Sequence, residues 1–373
     1  MKAEIVIVGG GLAGSAAAIM LAEAGREVLL LERESEPQHK VCGEFLSQEA
    51  VESLRALGVD PAGFGAKEIH SVRLAGARSV TNATLPFVAM SMTRRQLDEA
   101  LLKRAEQMGV RVCRGSRVMR VRHDGELWSA AIERAGAVES SIAAKTMFLA
   151  TGKHDLAGLP RPAGKQRGMV GFKMYFRLRP EQAEQLYGNV ELLLFRGGLS
   201  GLQLVEDGSA NLGCIVQQKR LRQLGGRWEN LLQAMRQECS HLAERLAGAE
   251  SLLERPLAIA PIPYGYVREA ASDGLWALGD QAAVIPSFTG DGMAIALHSG
   301  RLAATMYLAG ANAETFQQRL RAELAGQVGL AVMIARGLVW QPTRGVMLAS
   351  TRAWPKLLTL VGKKTRIAEN ARL

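Results

Sequence analysis

Gly9, Gly11 and Gly14 stand in a G-x-G-x-x-G spacing, and Glu32 follows eighteen residues after the last of them. Glycines so spaced do three physical jobs: one permits a tight turn, one lets backbone approach a pyrophosphate, and one lets a helix pack on a strand. An acidic residue about that far on accepts hydrogen bonds from a ribose hydroxyl. The chemistry implied is the holding of a dinucleotide, with its phosphates at a positive helix N-terminus. A second set lies far downstream in "GDQAAVIPSFTGDG", residues 279 to 292. There Asp280 can accept from a polyol hydroxyl, while Gly290 and Gly292 clear room for an aromatic ring beside a helix start, beyond a loop containing Pro286.

The elements that must position these residues surround them in the chain. Ile5-Val6-Ile7-Val8 is short, β-branched and followed at once by glycine, which reads as a buried parallel strand. An alanine-rich helix is predicted from Leu12 to Gly25, then a second strand from Glu27 to Leu31 that delivers Glu32 and Arg33. Residues 5 to 22 carry no charge, but four glycines and the acid at the strand end argue against a membrane span. No basic n-region suits a signal peptide, so a cytoplasmic location is expected.

The 373 residues, 48% of them hydrophobic, suffice for two domains. Cys42, Cys113, Cys214 and Cys239 show neither metal-ligand spacing nor a CxxC pair, so no metal and no disulfide framework is expected. The net charge of +10 is unevenly spread. Eight Lys or Arg against one acid lie beyond Gly326, and the rest of the chain is close to balanced, which argues against a nucleic-acid partner. In that tail the basic residues alternate with large apolar ones, among them Trp340 and Trp354. The pattern suits an anionic membrane surface at the inner face, a lid over an apolar channel, or helices that simply cap the core.

Taken together, the two glycine blocks make the chain resemble the FAD-dependent hydroxylase superfamily, the p-hydroxybenzoate hydroxylase-like and geranylgeranyl reductase-like flavoproteins, which also include flavin halogenases. The resemblance covers residues 1 to 325 and implies FAD as cofactor, with Glu32 on the adenosine ribose, Asp280 on the ribitol, and the Pro286 to Gly292 loop bordering the isoalloxazine. "MTRRQLDEALLKRA" is similar to a family helix start, which implies that Arg94 contacts FAD phosphate or ribitol; a surface helix capped by Thr93 is the plainer alternative. "KTMFLATGK" resembles the strand whose end, through Gly152, closes over the adenine half. "HKVCGEFLS", residues 39 to 47, resembles a K-x-C-G loop that runs along the flavin, which implies that Lys40, Cys42, Gly43 and Glu44 lie near the ring. Cys42 is then either a functional thiol or a small residue in a tight loop. One departure concerns the electron donor: Asp155 is followed by Leu156 where the hydroxylases carry Asp-Gly, so NAD(P)H as transient reductant stays open.

The implied fold class is α/β: a Rossmann-type FAD-binding domain (1–75, 91–158 and 259–325), an inserted antiparallel β-sheet substrate domain (76–90 and 159–258) and a C-terminal helical tail (326–373). Hairpin signals such as Asp207-Gly208 mark the sheet, and a helix near Trp228 to Leu246 is expected to cover its back. Phe172, Met174, Phe176, Leu193, Phe195 and Leu202 are the expected pocket wall, with Gly197 to Gly201 approaching a ligand. The candidate catalytic groups are Cys42, Glu44 and His39, with His298 expected to be a packed helix residue. The expected function is an FAD-dependent oxidoreductase, first a single-component monooxygenase of an apolar or aromatic small molecule such as a phenolic polyketide. An ene-reductase of prenyl chains is the alternative, and a non-catalytic lipid- or partner-binding flavoprotein the third reading.

Overall fold

The β-branched run at the N-terminus forms the strand Lys2–Val8, paired in parallel with Val28–Leu31 on one side and Ala137–Leu149 on the other. The structure, a computed structural model, describes residues 2–77, 79–134, 137–270, 273–368 and 371. Side chains alternate across this sheet: Ile5, Ile7 and Leu30 join one core, and Val6, Val8, Leu29 and Leu31 another. Helix Leu12–Glu23 follows the glycine turn and contributes Leu12, Ala16, Ile19 and Leu21 to the first core, so the uncharged N-terminal stretch is interior to the fold. Gly14 is required by this packing, because a Cβ there would overlap the carbonyl oxygen of Gly9. The strands run in the order Arg111–Cys113, Val28–Leu31, Lys2–Val8, Ala137–Leu149, Trp128–Arg134 and Arg117–His123, and Trp276–Ala277 also pairs with Ala137–Leu149.

The second sheet has nine strands among the described residues. It runs Glu250–Ser251, Met169–Arg177, Ala210–Gln217, Gly198–Leu204, Gly188–Phe195, Lys67–Gly76, Ser79–Ser91 and Phe45–Leu46, with Leu257–Ile259 beside Met169–Arg177. Two features differ from the sequence expectation. Lys67–Gly76 belongs here rather than with the FAD-binding half, because it pairs with Ser79–Ser91 as a hairpin and with Gly188–Phe195 on its other side. That last pairing is parallel, so the sheet is antiparallel except at this seam.

The expected pocket wall falls on the wrong face of this sheet. Met174, Phe176, Leu193, Phe195 and Leu202 pack against Trp228, Leu231, Met235 and Leu242 of helices Trp228–Glu238 and Ser240–Arg245, which cover the back. Phe172 contributes to the cavity wall, yet its ring meets Trp228 at 5.6 Å between centroids. Pleat parity explains the error: a strand such as Met169–Arg177 is buried on both faces, so its apolar residues do not announce which face meets a ligand.

The tail forms helices Ala313–Val339, Gln341–Ala353 and Lys356–Lys364. Among the described residues Ala313–Val339 is the helix long and apolar enough to cross a membrane, but here Phe316, Leu320, Leu324 and Val328 belong to the first core.

Glu191 ties the second sheet to its covering helices. Its carboxylate, fully buried, accepts from Arg73 at 2.9 Å and from Arg245 at 3.0 and 3.2 Å, and lies 2.9 Å from His241. Burial works to raise its pKa, but His241, Arg245 and Arg73 together hold it below the ordinary 4.5. Glu191→Gln, which strands buried cations, is expected to lose about 3–5 kcal/mol in urea unfolding. The pKa is depressed, so this contribution is complete above the unfolded value and fades as pH falls through the folded one. The gap between wild type and variant therefore narrows below pH 4.5.

Candidate functional site

A cavity of about 430 Å3 lies between the two sheets and beneath the tail. The first helix opens onto it through Gly11, Leu12 and Ala13, and among the described residues no side chain caps that N-terminus. Helix Gly292–Leu308 likewise shows no side-chain cap bond among the described residues, and Gly292 and Met293 line the same cavity. Two helix N-termini, each the positive end of a helix dipole, therefore face one space. Gly43, Gly152 and Gly292 line it as well, and a Cβ on any of them would meet nothing within 4 Å. These glycines leave room for a ligand to approach the backbone.

Around this slot the sequence-derived residues divide. Glu32 is buried at the strand end, where its two carboxylate oxygens accept from the amides of Gly10 (2.7 Å) and Glu34 (3.1 Å). Gly9 has φ +107°, and a Cβ there would overlap the carbonyl of Ala150, so only glycine fits. Arg94 is gripped by Asp98 through two bonds of 2.7 and 2.9 Å, and its Nη2 stands 3.4 Å from where a Gly11 Cβ would be. Burial opposes its charge, but Asp98 and then Cys42 hold its pKa above the ordinary value. Thr93 caps this helix, accepting from the Gln96 amide at 3.3 Å, and the cap leaves Arg94 on the cavity wall.

Asp280 lines the cavity and pairs with Lys153 at 3.2 Å, which raises the lysine's pKa. Gly290 lines it too, in a turn closed by Thr289 donating to the Pro286 carbonyl at 3.0 Å. Outside the wall are Arg33, exposed and paired with Glu34 at 2.6 Å, and Lys40, 2.7 Å from Asp98. His298 bonds Glu323 at 2.7 Å and packs in its helix. Asp155 is engaged by Arg161 at 2.6 Å, and Arg161 in turn donates to the Asp280 carbonyl. Of the glycine-rich hairpin, Gly201 reaches the cavity, whereas Gly198 packs against Ile215 and Phe195.

The 39–47 loop is clamped to the second sheet. Asn211 donates to the carbonyls of Cys42 (3.3 Å) and Gly43 (3.0 Å), and Lys173 donates to that of Lys40 at 3.2 Å. Cys42 lines the cavity, and its Sγ accepts from the Glu44 amide at 3.4 Å. Glu44, buried at φ +61°, is ion-paired with buried Lys173, accepts from the Arg94 amide at 2.7 Å, and has both oxygens 2.9 Å from the Tyr175 hydroxyl. His39 Nδ1 lies 3.0 Å from that hydroxyl. Burial pushes the Glu44 carboxyl up and the Lys173 ammonium down, each against the pull of its partner. Sequence reasoning missed Lys173 and Tyr175; one lysine inside the apolar run "MVGFKMYF" was the available signal.

The far wall is apolar. The second sheet supplies Val190, Leu192, Leu199 and Ile215, and the tail supplies Ile334, Leu338, Met347 and Leu358. Arg366 closes the tail onto the cofactor end, 2.6 Å from Asp291 and over the Phe87 ring.

Comparison with known proteins agrees with this geometry. Residues 2–307 match the FAD binding domain family. The chain is 25% identical over 328 residues to the menaquinone reductase of Mycobacterium tuberculosis (strain ATCC 25618 / H37Rv), an overlap of 82% of this chain and 76% of that protein. It is 28% identical over 349 residues to protein FixC of Escherichia coli (strain K12), covering 86% and 80%. The flavin-dependent brominase Bmp2 shares the fold, with a TM-score of 0.77 at 20% identity over 98% of this chain and 93% of that one. The slot, the two helix ends, Glu32, Arg94 and Asp280 fit FAD.

Gly11→Val fills the approach beneath Arg94 and is expected to leave a folded, colourless protein. Asp280→Ala is expected to weaken FAD binding roughly tenfold, about 1.4 kcal/mol. Flavin absorbance after gel filtration and circular dichroism check both.

Proposed function

The chain belongs to the FAD-dependent hydroxylase-like flavoprotein superfamily and is a FAD-binding oxidoreductase, and from that premise we propose that it reduces a carbon–carbon double bond in a long apolar, prenyl-type substrate. The observation that carries this is the cavity's far wall, apolar on both its sheet and tail sides, with the charged groups gathered at the cofactor end. Each methylene moved from water onto such a wall contributes about 0.8 kcal/mol, so chain length itself becomes a source of affinity. The similarity to a protein named menaquinone reductase supports a lipid-soluble substrate.

Bound FAD supplies the two-electron redox chemistry, with NAD(P)H proposed as transient reductant. Arg94, held by Asp98, and the uncapped helix of Leu12–Glu23 take its phosphates; Glu32 takes the ribose and Asp280 the ribitol. The tail excludes water and orients the chain. Monooxygenation of an aromatic compound is the second reading. It is favoured by the Tyr264–Ser287 hydroxyl pair, 2.6 Å apart, since both residues line the cavity and offer a phenol a partner.

We propose further that the substrate comes from an anionic membrane surface. Trp340, Trp354, Val346, Met333 and Leu360 are exposed on the tail, and Val346 also lines the cavity. Arg352, Lys356, Lys363 and Lys364 are exposed alongside them in sequence. On this reading the protein works peripherally at the inner face of the membrane.

Chemically reduced holoprotein mixed anaerobically with a prenylated quinone is expected to be reoxidised and to saturate one double bond. Oxygen-dependent transfer of heavy-isotope oxygen to a phenol would favour monooxygenation instead, and no reoxidation by any compound would favour a binding protein. NADH and NADPH are offered in separate reactions.

Flotation with anionic liposomes at low salt is expected to carry the protein, and neutral liposomes are not. Binding should fall steeply with salt, since each basic residue near the surface contributes about 1 kcal/mol that screening removes. Equal flotation on both liposomes, or none, would contradict an anionic surface.

A further inference from the structure

Reduction chemistry takes up protons as well as electrons, and this cavity is walled largely by apolar side chains. We propose that His39, Tyr175 and Glu44 form a proton relay that joins bulk solvent to the cavity. The role rests on the reading of this cavity as the redox site, whatever compound is reduced there.

The path is continuous. His39 is half-buried and begins it; its Nδ1 lies 3.0 Å from the hydroxyl of Tyr175, which is buried. That hydroxyl is 2.9 Å from each Glu44 oxygen, and Glu44, buried from solvent, is part of the cavity wall. Side chains of this kind exchange protons through hydrogen bonds without moving far.

The surroundings suit the task. Lys173 pairs with Glu44 and stands 4.6 Å from the centre of the Tyr175 ring, so it balances the carboxylate whenever the proton has left. His39 feels Lys173, Arg95 and Asp207; Tyr175 feels Glu44, Cys42 and Glu206. Burial, then Lys173 and Arg95, lowers the His39 pKa to about 4. At neutral pH the ring is thus uncharged, with one nitrogen free to accept a proton as the other gives one up. Burial raises the Glu44 carboxyl against the pull of Lys173, which eases its taking a proton from Tyr175. Glu44 also holds φ +61°, unusual for a residue with a side chain, and such conformations gather at functional sites.

The transfer balances without electrons. Tyr175 passes its hydroxyl proton to the Glu44 carboxylate and takes one from His39 Nδ1, while water supplies another at Nε2. Glu44 then gives its proton to the group being reduced and returns to carboxylate. One proton enters, and His39 resets its tautomer by exchange with water.

The test uses FAD-loaded protein with no substrate. The protein is photoreduced anaerobically, and proton uptake is followed with a pH-indicator dye. Tyr175→Phe and His39→Ala, each compared with wild type at matched FAD occupancy, are expected to slow uptake by roughly tenfold or more, and added imidazole to restore the rate in His39→Ala. Because no substrate is present, failure of the prenyl-substrate reading leaves this result standing. Uptake at the wild-type rate in either variant, or a slow His39→Ala that imidazole does not rescue, would overturn the relay. A second readout uses the FAD-free protein. Among the six histidine signals in an NMR titration, the one absent from His39→Ala is expected near pH 4 and to shift in Tyr175→Phe. Ordinary titration with no response to Tyr175→Phe would also count against it.

Discussion

Glu44 and Lys173 bury opposite charges together, and the geometry of the cavity depends on that pair. Taking each ion from water costs several kcal/mol even after relaxation, so the pair persists only where other groups complete its hydrogen bonds. Here the Tyr175 hydroxyl and the Arg94 amide do so. Glu44 sits in the 39–47 loop and Lys173 in the middle of a strand of the second sheet, so the bond fastens that loop to the sheet. Cys42 and Gly43 reach the cavity because the residue after them is held this way, with Asn211 gripping their carbonyls from the neighbouring strand.

The second sheet serves two masters through its pleat. Its back face, with Met174, Phe176 and Leu202, forms a core with the helices around Trp228 and Leu242. Its front face, with Leu192, Leu199 and Ile215, is left to the cavity. The tail then covers that front. Leu338 and Met347 pack into the wall while Arg366 anchors the end of the tail at Asp291, next to the helix start that faces the cofactor slot. The tail therefore covers the cavity in this structure, and its exposed tryptophans lie on the same part of the chain.

Much of the cofactor end was legible in the chain. The glycine turn, the strand before it and the acid at the end of the next strand are local features: their spacing follows from the geometry of strand, turn and helix, and the same constraint produces the fold. The helix capped by Thr93 was legible as well, and the structure sets Arg94 at its first turn on the cavity wall. The pocket wall was not legible. Alternation identifies a face only when one side of a sheet is polar, and residues 169 to 177 are buried throughout except at Arg177. Lys173 was visible as a charge in an apolar run, but nothing nearby in sequence names Glu44 as its partner.

By itself, then, the sequence determined the elements and the nucleotide-binding turn, because hydrogen bonding, side-chain period and glycine geometry act within a few residues. It also determined that the last fifty residues are basic and apolar at once. Tertiary structure alone decided which face of the second sheet meets the ligand, that residues 67 to 76 join that sheet, and that His39, Tyr175, Glu44 and Lys173 converge. These outcomes depend on which distant surfaces exclude water from one another, and burial of that kind is settled only when the whole chain has packed.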